Sequence, residues 1–351
     1  MTDSPLDRSF LVADIGGTTL RVGWYRERDR TLAHVHRIPV EGLARHPGEP
    51  APVLRQRVLT QLAEVLGQRL STPSGVGVSS VGLAFAGPLN ADGMVLAAPT
   101  IWGGGAERVP LGAWLAHRLG VPVRVRNDLT AAAWRYAGSD LSPGDFCLLT
   151  VSSGIGNKVF RDGAVLVDPS GTGGELGHWP VDLSPDGARC DCGGRGHLGA
   201  VSSGRGILSA VRSAGQRDPR AFAASTLGAS CPGGPGTVTN EDVVRAVLGR
   251  DAFAVAVLRR SLRHLAQAIV AVHTAIGIRR YVIIGGFAQA VGDAFADHLV
   301  EELVGMGCFG LTEEEVRAMV TMGVPDDDHA LIGMGRLLSR RPAGVTTAAG
   351  T

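Results

Sequence analysis

A chain of 351 residues has room for two modest domains with a sizeable hydrophobic core. Its 44% hydrophobic and 19% charged residues are those of a globular protein, and a net charge of +1 leaves no basic excess for binding nucleic acid. The start, MTDSPLDRSF, lacks the basic and apolar regions of a signal peptide, and no apolar run is long enough to span a bilayer, so a cytoplasmic protein with no membrane partner is expected.

In chain order, Phe10 to Ile15 reads as a buried strand running into a glycine turn, with Leu20 to Tyr25 as the returning strand. Leu54, Val58, Leu62, Val65 and Leu66 recur at helical spacing within 54–70. Val81 to Ala86 is a second strand, closed by Gly87-Pro88. Val121, Val123 and Val125 mark another, which ends at Asn127-Asp128 before a helix from Leu129 to Ala137. Cys147 to Val151 followed by Ser152 to Gly156 repeats the strand-then-glycine-turn pattern of the first twenty-five residues, which predicts two related α/β halves. Ser225 to Val238 is rich in Gly and Pro and is expected to be a surface loop. Thr239 and Asp242 form a capping-box pattern for a helix through Leu248, Ala252 to Ile276 is a long helix, and Tyr281 to Ile284 is a strand leading into Gly285-Gly286. The tail 341–351 is expected to be disordered.

Several of these turns carry the residues of a phosphate site. In Asp14-Ile15-Gly16-Gly17-Thr18-Thr19, tight-turn backbone amides and two hydroxyls can cradle phosphate oxygens, and a nearby carboxylate can hold Mg²⁺ through its waters; a plain hairpin turn is the simpler reading. Ser153, Gly154 and Gly156, and the pair Gly285-Gly286, are each compatible with a simple turn, and gain weight from their order after the first motif. Asn127-Asp128 lies at a strand end, where ligand sites of α/β sheets form, although Asp128 can equally be a helix N-cap. Five cysteines, two of them as Cys190-Asp191-Cys192, suggest reduced thiols and a metal site rather than a disulfide frame.

The ordered series is similar to the ROK family (repressor, open reading frame, kinase) over about 10–338. It comprises Asp14 to Arg21, Gly87-Pro88, Asn127-Asp128, Gly173-Gly174-Glu175-Leu176-Gly177-His178, and Cys190-Asp191-Cys192-Gly193-Gly194-Arg195-Gly196-His197, which is close to the family's CxCGxxGC signature. The resemblance implies an α/β, two-domain sugar kinase/actin-like (ribonuclease H-like) ATPase fold with a cleft between the domains. The expected division is 1–127 with the first phosphate turn and 128–340 with the metal motif and adenosine contact. It implies ATP with Mg²⁺, held by Asp14, Gly16, Gly17, Thr18, Thr19, Ser153, Gly154, Gly156, Gly285 and Gly286. It assigns Asp128 as catalytic base, and Asn127, Glu175 and His178 as contacts to a polyol substrate. His178, Cys190, Cys192 and His197 would hold a structural Zn²⁺; a site that has lost its metal is the alternative. A homodimer is expected.

Three positions depart from the family pattern. His197 replaces a cysteine, and Cys₂His₂ remains a suitable zinc set. Gly199 stands where the family has a sugar-binding Glu, and Thr100 where it tends to have Asn. Thr100 and Gly199 fall on substrate contacts while the phosphate turn and Asp128 are intact, which predicts retained phosphoryl chemistry on an altered acceptor. A C7-cyclitol fits, as in the ROK kinases of aminocyclitol antibiotic biosynthesis; glucose or an amino sugar is the runner-up. Thirteen residues precede Asp14, too few for the winged helix of a ROK repressor, so an enzyme is expected over a DNA-binding sensor, with a non-catalytic sugar-sensing ROK protein as the alternative of another class.

Overall fold

The computed structural model describes residues 8–75, 77–105, 107–171 and 173–340; the tail expected to be disordered lies outside them. The chain divides into two compact units, one made of 1–137, 167–173 and 326–351, the other of 138–166 and 174–325.

The first unit holds a five-stranded sheet in the order β3-β2-β1-β4-β5. Its strands are β1 (Ser9–Ile15), β2 (Thr19–Arg26), β3 (Thr31–Pro39), β4 (Val81–Phe85) and β5 (Val123–Asn127). β1 runs antiparallel to β2 and parallel to β4, and β4 runs parallel to β5. Side chains alternate across β1, so the two faces enter different cores. Leu11, Ala13 and Ile15 join one core with Leu54, Val58, Leu62 and Leu66 of α1 (Ala51–Leu70). Phe10 and Val12 join the other, with Leu331, Met334 and Leu337 of the closing helix His329–Ser339. Each fully buried Leu or Val of this kind stabilises the fold by about 1.5–3 kcal/mol. α2 (Leu111–Leu119) ends at Gly120, whose positive φ of 69° forms a left-handed cap. β5 begins two residues later than the valine pattern suggests. Pro122 lies just ahead of it, and its carbonyl accepts the Val81 amide at 2.9 Å.

α3 (Asp128–Tyr136) packs against the closing helix through small residues. A Cβ at Gly333 would lie 1.7 Å from the Ala131 carbonyl oxygen, so only glycine permits this approach. The closing helix therefore belongs to the first unit. The break after residue 137 and the return at 326 differ from the expected division at 127/128, because packing of chain-distant helices, not sequence order, defines the unit.

The second unit repeats the strand pattern. Its sheet, in the order β10-β9-β6-β7-β8, comprises β6 (Phe146–Val151), β7 (Ile155–Arg161), β8 (Ala164–Val165), β9 (Tyr281–Ile284) and β10 (Val320–Met322). β6 is antiparallel to β7 and parallel to β9, as β1 is to β2 and β4. The two halves predicted from the repeated turn are thus alike in strand order and direction.

Helices of this unit are α4 (Leu198–Ser202), α5 (Gly204–Arg217), α6 (Pro219–Ala224), α7 (Thr226–Ser230), α8 (Asn240–Leu248), α9 (Ala252–Ile276), α10 (Gly286–Val291), α11 (Asp293–Met306) and α12 (Glu313–Arg317). Thr239 and Asp242 form the predicted capping box of α8. The surface loop expected over 225–238 is corrected. It contains α7, and Leu227, Cys231 and Val238 enter the core beside α5 and α9. Gly and Pro there punctuate a helical turn rather than exclude it: Ser225 caps α7 by accepting the Gly228 amide at 2.9 Å. Among the described residues no helix is long and apolar enough to cross a membrane.

Candidate active site

In the first unit the candidate residues collect at one edge of the sheet. Register pairs Ile15 with Phe85 and Phe85 with Asn127, so the turn after β1, Gly87 after β4 and Asn127-Asp128 after β5 lie at the carboxyl ends of three parallel strands. The turn is closed by the Gly16 amide donating to the Thr19 carbonyl at 3.0 Å. Gly17 is a close-approach glycine: an added Cβ would lie 2.7 Å from the Thr100 carbonyl oxygen. Thr100, exposed on the loop before Trp102, is thereby set against the turn after β1.

Asp14 is buried at the end of β1 and paired with Arg21 of β2, which also bonds the Asp327 carbonyl. Burial pushes the Asp14 carboxyl above its ordinary value, against the pull of the Arg21 guanidinium. Sequence reading placed Asp14 here but missed Arg21 and Asp327 as its support; their alternation across a hairpin was the available signal for Arg21, and nothing marked Asp327.

Asn127, not Asp128, caps α3. Its Oδ1 accepts the amides of Leu129 and Thr130 at 3.1 and 3.2 Å. Its Nδ2 donates to the Gly87 carbonyl at 3.1 Å and to Asp128 Oδ1 at 2.8 Å. Asp128 Oδ1 also accepts the Leu129 amide at 2.9 Å. This holds the carboxylate at the helix start, where the helix dipole favours negative charge.

In the second unit, Thr150 pairs with Ile284, which sets the turn Ser152–Gly154 and Gly285-Gly286 at one sheet edge. Gly285 has φ of 103°, and a Cβ there would lie 2.6 Å from both Thr150 Oγ1 and the Val151 carbonyl, so conformation and space both require glycine. The Ser152 carbonyl accepts the amide of Gly204, the first residue of α5, at 2.8 Å. Beside these turns is a cavity of about 540 Å³, lined by Ser152, Ser153, Gly286 and Phe287 and walled by Asn240, Glu241, Val244 and Arg245 of α8. Sequence reading missed the α8 wall. The capping box located the helix, but only tertiary packing brings it to the turn.

Glu175, exposed, lies 3.5 Å from Lys158 Nζ, and the Asn157 side chain accepts the Leu176 amide at 2.9 Å. Three residues on, His178 meets Cys190, Cys192 and His197, whose donor atoms lie within 4.8 Å of one another. His178 Nδ1 is 3.5 Å from Cys190 Sγ, His197 Nδ1 is 3.2 Å from Cys192 Sγ, and the two imidazoles meet edge to face at 85°. Zinc–ligand bonds of about 2.0–2.3 Å in a tetrahedron separate donors by about 3.5 Å, so these residues fit the ion. Gly199, buried two residues after His197, faces the Gly177 carbonyl, 3.1 Å from where a Cβ would stand.

Residues 11–341 match the ROK family. The chain is 50% identical over 341 residues, 97% of its own length and 96% of the relative's, to C(7)-cyclitol 7-kinase of Streptomyces hygroscopicus subsp. jinggangensis. It is 36% identical over 247 residues, 68% of this chain and 65% of the relative, to 2-epi-5-epi-valiolone 7-kinase of Actinoplanes sp.. Among solved structures, a ROK hexokinase from Thermus thermophilus aligns with a TM-score of 0.69 at 25% identity, covering 94% of this chain and 97% of that one. A ROK family glucokinase from Streptomyces griseus, solved with glucose and AMPPNP, aligns at 0.68 over 94% of this chain and 99% of its own, and at 22% identity shows the fold alone. The expected actin-like α/β fold is borne out, and the chain belongs to the ROK family.

Proposed function

We propose that this chain is an ATP-dependent kinase that phosphorylates the exocyclic primary hydroxyl of a C7-cyclitol, as a cytoplasmic step of aminocyclitol antibiotic biosynthesis. The observation that carries the reading is 50% identity, over nearly the whole of both chains, to a C(7)-cyclitol 7-kinase.

Asp128 takes the proton of the attacking hydroxyl, the new O–P bond forms, and ADP departs with the electrons of the broken one. The bond from Asn127 Nδ2 orients that carboxylate. Asn127, Glu175, His178 and Thr100 contact the acceptor ring. Amides and hydroxyls of 14–19 and 153–156 hold phosphates, and Gly285-Gly286 allow the nucleoside to approach. Mg²⁺, when bound with ATP, neutralises phosphate charge, with Asp14 placed to orient its waters. His178, Cys190, Cys192 and His197 hold a structural Zn²⁺ that stiffens the segment bearing Glu175. Cys147, Cys231 and Cys308 are buried free thiols, which supports the cytoplasmic reading. Assembly as a homodimer completes the reading.

Gly199 supports a carbocyclic acceptor, since it offers no carboxylate to hydroxyls near an anomeric centre, which a cyclitol lacks. Hexose phosphorylation is the second reading, favoured by 29% identity over 94% of this chain to Thermotoga maritima glucokinase. The test is kcat/KM for valienone or valiolone against glucose. The cyclitol is expected to be the better substrate; glucose equal or better would overturn the proposal in favour of a hexose kinase.

A further inference from the structure

β5 is an edge strand of the first sheet, and its side chains alternate. Val123 and Val125 turn to the core, while Arg124 and Arg126 share the opposite face. With Arg8, Arg340, Ser80 and Asp92 they line a cavity of about 470 Å³. Its lining reaches Ser80 and Pro122, which precede β4 and β5. This is the end of the strands opposite to Gly87 and Asp128.

Four arginines and one aspartate thus line a small space, and the arginines are unequally satisfied. Arg8 donates to both oxygens of Glu27 at 2.8 and 2.9 Å. Arg340 stands over the Trp134 ring, 4.5 Å from its centroid. Arg124 and Arg126 have no carboxylate within 4.0 Å among the described residues, Asp92 included. Arg126 Nη1 donates to the Val125 carbonyl at 2.7 Å, which uses one donor of a five-donor fork. Arg126 is nevertheless half-buried, and burial with the neighbouring Arg124 charge holds its guanidinium below the ordinary value. Arg21 and Arg135, also half-buried, are each paired with an aspartate, Asp14 and Asp326, and half-buried Arg336 donates to two carbonyls, of Arg135 and Ala137. Removing guanidinium from water is costly without a counter-charge, and two such groups side by side add repulsion. A bound oxyanion relieves both, since the planar fork of arginine matches phosphate oxygens two at a time.

We propose that this cavity binds a phosphate-bearing small molecule, gripped by Arg124 and Arg126 with the Ser80 hydroxyl at its margin, at a site distinct from the phosphate turns. The volume exceeds what a bare phosphate needs and lies within the usual range of small-molecule sites, about 300–1,000 Å³. The site does not depend on which acceptor the kinase uses.

The experiment is a thermal-shift and calorimetric titration with inorganic phosphate, on the full chain held with saturating non-hydrolysable ATP analogue and Mg²⁺ so that the catalytic phosphate positions are filled. Sodium chloride of matched ionic strength is the control, and glycerol 2-phosphate is a second arm. Phosphate is expected to raise Tm beyond the chloride control, and Arg124→Gln/Arg126→Gln to weaken its apparent affinity by about 10-fold or more, the scale of losing charge-assisted hydrogen bonds. Tighter binding of glycerol 2-phosphate identifies the ligand class as a phosphate ester, and the reverse as free phosphate. Equal affinity in wild type and variant, or a response no greater than to chloride, overturns the proposal. If the double variant fails to fold, Arg124→Gln alone, at an exposed position, is expected to bind phosphate several-fold more weakly; unchanged affinity there has the same overturning force.

Discussion

Asn127 Nδ2 and Asp128 Oδ1 lie 2.8 Å apart at the first turn of α3, so the residue that caps the helix also holds its neighbour's carboxylate. The proposed base is thus fixed by backbone structure on one side and by Gly87, through Asn127, on the other.

Replacement Asp128→Asn keeps the side-chain shape and leaves the Asn127 cap in place. It should preserve folding and ATP binding while lowering phosphoryl transfer by about 10²-fold or more, the usual scale for loss of a general base. Turnover near wild type, measured with the preferred acceptor, would rule out Asp128 in that role.

Gly17 and Thr100 make a second test. A methyl at position 17 would come 2.7 Å from the Thr100 carbonyl, so the loop or the turn must move. Gly17→Ala should lower stability by about 1–3 kcal/mol, as overpacking does, and raise KM for ATP. Unchanged denaturation midpoint and KM would show that the contact is slack.

Purified protein should carry about one zinc per chain. Cys190→Ser with Cys192→Ser should abolish the metal and lower Tm. Elemental analysis is the readout; active, folded wild type without zinc would mean that the four residues pack without a metal.

Stability should fall in mild acid through His329. Its ring is buried, Nδ1 lies 3.1 Å from both Tyr136 Oη and Arg135 Nη1, and burial followed by the Arg135 charge pushes it down to about 4. The unfolded chain, near 6.5, takes up a proton that the folded chain refuses. Stability is unaffected above that value and is lost as pH drops from about 6.5 towards 4, by up to about 1.4 kcal/mol per pH unit. Asp326, lowered by its Arg135 hydrogen bonds against the opposing effect of burial, loses its own contribution only at lower pH. In His329→Gln the limb between 6.5 and 4 should flatten in chemical denaturation; a limb as steep as wild type would assign it to other groups.

Sequence alone determined the pieces whose cause is local. Apolar runs ending in glycine specify β1, β6 and β9 with their turns, because a buried strand and a tight turn are set by neighbouring residues. The Thr239–Asp242 box specified the start of α8 for the same reason. The resemblance to the ROK signature pointed to His178, Cys190, Cys192 and His197 as one donor set, and the four donor atoms do converge. Tertiary structure decided what depends on chain-distant packing. It gave the helix cap to Asn127, joined the closing helix to the first unit through Gly333 against Ala131, and brought Arg21 and Asp327 to Asp14. It also placed α8 beside Ser152 and Ser153, and left Arg124 and Arg126 on an edge strand with no carboxylate within 4.0 Å among the described residues. Periodicity reports which face of an element is apolar; which other element covers that face, and which charges meet there, is settled only when the whole core closes.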